Sequence, residues 1–109
     1  MNGKYNRDVL LKLEEYKVIY LYTSPKMPLW EKENSIEVIA ISDEFDTRER
    51  AARFELELST LIISDKATIR VEAIHPYFFN NNPEYFEQSL REKGLFLCYT
   101  NESGWLYNR

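Results

Sequence analysis

The chain has 109 residues, enough for one compact domain and too few for two. Its 44% apolar and 15% aromatic content can fill a core, and 29% charged residues without a long polar run argue against disorder. The net charge of −4, with no clustered Lys and Arg to neutralise phosphates, weighs against general nucleic-acid binding.

Apolar runs fall well short of the roughly 20 residues a membrane span requires. The N-terminal MNGKYNRDVL lacks the apolar stretch of a signal peptide. The lone Cys98, in the apolar run LFLCY, cannot form an internal disulfide and reads as a small core residue in a reducing compartment. These features place the expected protein in the cytoplasm, away from membranes.

In chain order, Asn6 or Asp8 caps a first helix running to about Tyr16, with Leu10, Leu13 and Tyr16 at helical spacing. KVIYLY (17–22) is β-branched and aromatic on both faces and reads as a buried inner strand. Pro25 and Pro28 then enforce a loop before a second strand, SIEVIAI, from Ser35 to Ile41. The next helix has Asp46 and Glu49 as a capping box and an apolar stripe of Ala51, Phe54, Leu58, Leu61 and Ile62.

ATIRVEAI (67–74) is a third strand, with His75 hydrogen-bonded to backbone at its end rather than acting as a base. Asn80, Asn81 and Asn82 read as a turn and cap for a helix that starts at Pro83 and stops at Gly94. LFLCY forms a fourth strand, and WLY (105–107) either returns as its hairpin partner or serves as a partner-binding tail, as Trp30 could in the loop. The expected fold is α+β: residues 1–109 as a single domain, with helices packed on a mixed sheet.

Alternation puts Ser35, Glu37, Ile39 and Ile41 on one face of the second strand, and Arg70, Glu72 and Ile74 on one face of the third. If the strands are neighbours, Glu37 and Glu72 can lie about 5 Å apart. Two carboxylates so placed hold a cation or share an arginine. The first reading gives a divalent metal site; the second gives a structural ion pair with Arg70.

This arrangement resembles the minimal nucleotidyltransferase domains of the DNA polymerase beta superfamily, which also occur as antitoxin-type proteins. That family has a Gly-Ser turn after its first strand, an acid–apolar–acid strand some ten residues later, and a further acid on a later strand. Thr23-Ser24, Ser35-Ile36-Glu37-Val38 and Glu72 stand at these places, and PEYFEQSLREKGLFLCY resembles the family's late helix and closing strand. The resemblance covers about residues 6–99.

It implies a nucleotidyltransferase-like fold in which Glu37 and Glu72 are catalytic metal ligands for Mg²⁺. Thr23, Ser24, Lys26 and Ser35 would line the NTP, whose nucleotidyl group passes to an acceptor hydroxyl. The departures matter. Ser35 replaces the first acid, and a neutral hydroxyl is a poor Mg²⁺ ligand. Thr23 replaces the glycine, and Lys26 is one position away from the family's basic residue. Neither Asp43 nor Glu33 is placed to supply the lost acid. Activity is therefore expected to be weak or lost. The alternative is a noncatalytic, antitoxin-like module that pairs with a helical HEPN-type protein or forms a homodimer.

Overall fold

A computed structural model describes residues 3–24, 35–62 and 68–106. Among them are four helices and five strands: α1 (Gly3–Glu15), β1 (Tyr20–Thr23), β2 (Ser35–Ile41), α2 (Arg48–Leu61), β3 (Thr68–Ile74), α3 (Pro76–Asn81), α4 (Pro83–Lys93), β4 (Phe96–Thr100) and β5 (Gly104–Trp105). The strands form one mixed sheet in the order β3-β2-β1-β4-β5, with β2 and β3 parallel and every other neighbouring pair antiparallel. The α+β class with a mixed sheet is as the sequence implies.

The expected first strand lies at the centre of the sheet, shifted to Tyr20–Thr23. The chain first has to turn out of α1. Lys17 takes a left-handed φ of 54°, and Val18 N–H donates back to the Leu13 carbonyl at 2.9 Å. Only then does an extended run begin.

Helices cover both faces. On one, Val9 and Leu13 of α1, Tyr16 just after it, and Phe54 and Leu58 of α2 bury against Leu21, Ile36, Val38 and Ala40. On the other, Phe86 and Leu90 of α4, with Phe79 of α3, pack on Ile39, Ile41, Tyr20 and Tyr22. Phe54 is central to the first layer, with its ring 5.2 Å from Tyr16 and 4.9 Å from Phe45 between centroids.

Three local expectations are corrected. The α2 cap is Thr47, whose hydroxyl accepts from Arg50 N–H at 3.1 Å, one residue later than Asp46. Arg50, whose N–H the cap binds, also donates from its guanidinium to Glu44 Oε1, at 2.7 and 3.3 Å. The run before Pro83 is a short helix, α3, with Pro76 in its first turn, where a missing N–H costs nothing. Asn82 makes no side-chain cap bond to α4, whereas Gly94 ends that helix in the left-handed region as expected, at φ 70°. The hairpin alternative for the C-terminal segment holds for Trp105, which pairs with Tyr99 in register and meets its ring at 5.5 Å. Tyr107 and Trp30 lie outside the described residues.

One polar network staples α1 to α2. Tyr16 O–H and Lys12 Nζ both donate to Glu57 Oε1, at 2.9 and 3.1 Å, and the Arg50 guanidinium lies 4.1 Å from the centroid of the Tyr16 ring. Hydrogen bonds from Lys12 and then Tyr16 hold the Glu57 carboxyl below its ordinary value near 4.5. A lowered native pKa means that the stabilisation is present above that value and is lost as pH falls through the native one.

Two outcomes follow from this packing. Phe54→Ala removes a fully buried ring and lowers stability by about 3–5 kcal/mol, measured by urea unfolding. In unfolding series from about pH 7 to about pH 3, the gap between the wild type and Glu57→Gln narrows in the acid limb; a constant gap refutes the role given to this carboxylate.

Candidate functional site

The residues singled out by sequence gather where β1 ends and β2 begins. Thr23 pairs with Val38 in register, so the next residue, Ser24, comes beside Glu37. The contact is close. Ser24 N–H donates to the Glu37 carbonyl at 3.0 Å, and the Ser24 hydroxyl accepts from Glu37 N–H at 3.1 Å. Ser24 therefore extends the ladder by one rung with its own side chain. Its N–H is committed to β2.

Thr23 is fully buried. It alternates with Tyr22 and shares the face of Leu21, which packs against α1 and α2. Glu37 belongs to the opposite face, so the expected role of Thr23 as a ligand contact is replaced by a position in the sheet. Here a β-branched residue sits in an extended strand that suits it. Lys26 lies outside the described residues. Ser35 is exposed at the first position of β2, on the same face as Glu37, opposite Thr68.

The carboxylates are arranged differently from the expectation. β2 and β3 are neighbours and parallel, and the register sets Glu37 opposite Arg70 and Ile39 opposite Glu72. The two acids thus share a face but are offset diagonally by two residues, with Cα atoms about 8 Å apart. Alternation predicts the face and leaves the register open, which is why the side-by-side placement does not occur. Glu72 is exposed and borders an open depression of about 480 Å³ shared with Asp46, Thr47 and Glu55.

What faces Glu37 instead is positive. Lys93, in the last turn of α4, brings its Nζ to 4.0 Å from Glu37 Oε2, with Glu37 about three-quarters buried and Lys93 more open. Arg70 is the lateral neighbour. Lys93 is the residue that sequence reading missed. A basic side chain just before the Gly94 cap is an ordinary helix-end feature, and only the packing of α4 over β2 brings it to an acid 56 positions earlier in the chain.

Among the described residues, no three His, Cys, Asp or Glu side chains form a group able to hold a metal ion. Among the described residues, Glu37 has around it the Ser24 hydroxyl, which accepts from its backbone N–H, the Lys93 ammonium and Arg70 on the neighbouring strand, and such cations suit a carboxylate or a phosphate more than Mg²⁺. His75 has the structural role expected of it: its Nδ1 accepts from Tyr77 N–H at 2.9 Å and caps α3. Cys98 is fully buried, its thiol pushed up by desolvation and directed at the Leu21 carbonyl.

No protein-family model matches this chain, and neither a curated protein nor a solved structure matches it.

Ser24→Ala removes the side-chain rung that holds the start of β2. It is expected to cost about 1 kcal/mol in urea unfolding, with faster amide exchange at Glu37 than at Ile39. Equal exchange at both positions argues against the rung.

Proposed function

We propose that this chain is a nucleotidyltransferase-like domain that has given up turnover and works as a binding module, antitoxin-like, with a helical partner of the HEPN type. The observation that carries the reading is the neighbourhood of Glu37. Ser24 is hydrogen-bonded beside the strand that carries Glu37. The position where a second carboxylate is needed holds Ser35, and among the described residues Lys93 is the ion-pair partner of Glu37 and Arg70 its register neighbour. Nucleotidyl transfer depends on carboxylates that fix a metal and so neutralise phosphate charge. A lone glutamate flanked by cations lacks that capacity, whereas binding needs only the folded surface. A cytoplasmic setting accords with the buried, unpaired Cys98.

Residual transfer is the second reading. It is favoured by one observation: Ser24, Ser35 and Glu37 still share one corner of the sheet.

Titration with Mn²⁺ and ATP separates the two. The wild type is expected to show no metal-dependent nucleotide binding at about millimolar concentration and no transfer of AMP. Ser35→Asp, which restores an acid two residues from Glu37 on its own face, is expected to raise Mn²⁺ affinity at least about tenfold. Metal-dependent transfer by the wild type would favour the second reading. Failure of Ser35→Asp to gain metal would remove the link to nucleotidyltransferases.

A further inference from the structure

The outer edge of the sheet is β3, seven residues long and the least buried of the longer strands. The side chains of Thr68, Arg70 and Glu72 are exposed, and Ile69 and Val71 are half-buried. Ile74 turns its carbonyl toward β2, accepting from Ser42 N–H at 3.2 Å, while Ala73 N–H points away and donates to Glu55 Oε2 at 2.9 Å. Because a strand residue directs its N–H and C=O the same way, the backbone groups of Ile69, Val71 and Ala73 form the outer edge, where among the described residues only Ala73 N–H has a partner, the Glu55 carboxylate.

We propose that this edge pairs with the same edge of a second copy, antiparallel and centred on Val71, so that Arg70 of each chain lies opposite Glu72 of the other. Charge selects the occupant and the register together. Residues whose backbone faces outward must meet one another, so the ladder can shift only in steps that keep that parity. Centring on Arg70 sets arginine against arginine, and centring on Glu72 sets glutamate against glutamate. Centring on Val71 makes two Arg70–Glu72 pairs related by the two-fold axis, at the non-hydrogen-bonded positions where side chains approach most closely.

Charged side chains, lysines above all, are one means by which exposed edges repel a second copy. An arginine and a glutamate two residues apart are self-complementary instead. The two-fold axis also brings α2, which packs over β3, beside its own copy. Pairing replaces Glu55 by a backbone carbonyl as the acceptor for Ala73 N–H, so no donor is left open.

Sedimentation equilibrium on the full chain tests this with wild type, Arg70→Glu, Glu72→Arg and the double swap. All three variants alter exposed side chains, and circular dichroism confirms that each is folded. The wild type is expected to form a reversible dimer. Each single reversal turns two attractive pairs into two repulsive ones and weakens the dimer at least about tenfold. The double swap restores affinity to within about threefold of wild type. A wild type that stays monomeric up to about 1 mM, single reversals without effect, or a double swap that fails to recover would each overturn the proposal.

Discussion

The structure depends on β2 being apolar on both faces. Ile36, Val38 and Ala40 sit against the layer made by α1 and α2, and Ile39 and Ile41 against α3 and α4. A strand enclosed in this way cannot slip by one residue without driving Glu37 into the first layer and turning Val38 out of it. Each carboxylate buried without a partner costs several kcal/mol, so the alternation is strongly enforced. It places Glu37, after Ser35, on the α4 face just before the apolar run begins. Ser24 and Lys93 can reach it there from two other elements.

The same enforcement explains what was readable in the sequence. β2 has the expected bounds, Ser35–Ile41, because period-2 alternation of β-branched residues between a polar loop and Ser42 leaves little choice. The end of α4 was equally legible, since a glycine after the last periodic residue is needed where φ becomes positive. α3 was not. Its six residues end in asparagines, which favour turns in isolation, and its helical state rests on Pro76, on the His75 cap and on Phe79 packing 4.9 Å from Phe86. The last of these is a tertiary contact that no local pattern announces.

The candidate site divides along the same line. That Glu37 and Glu72 share a sheet face was legible, because parity along each strand is a local property. Their relative height was not, because the register between two strands joined through α2 is set by how the helix packs. A two-residue offset preserves every facing assignment and yet exchanges a carboxylate neighbour for an arginine. This change bears most heavily on the chemistry. Opposed acids repel until a cation joins them, whereas an acid between Arg70 and Lys93 is already balanced.

Arg70 links the two surfaces discussed above. It stands beside Glu37 within its own sheet and on the free edge at the same time. A guanidinium can satisfy one carboxylate with good bidentate geometry, and no ion pair holds it among the described residues. In the proposed antiparallel pair it turns outward to Glu72 of the partner copy, leaving Lys93 as the cation in contact with Glu37. In a lone chain it stays available on the Glu37 side. Assembly across β3 would thereby lower the positive charge around Glu37. The sign follows from one side chain having two places to go, and it couples the edge to the corner without a change of fold.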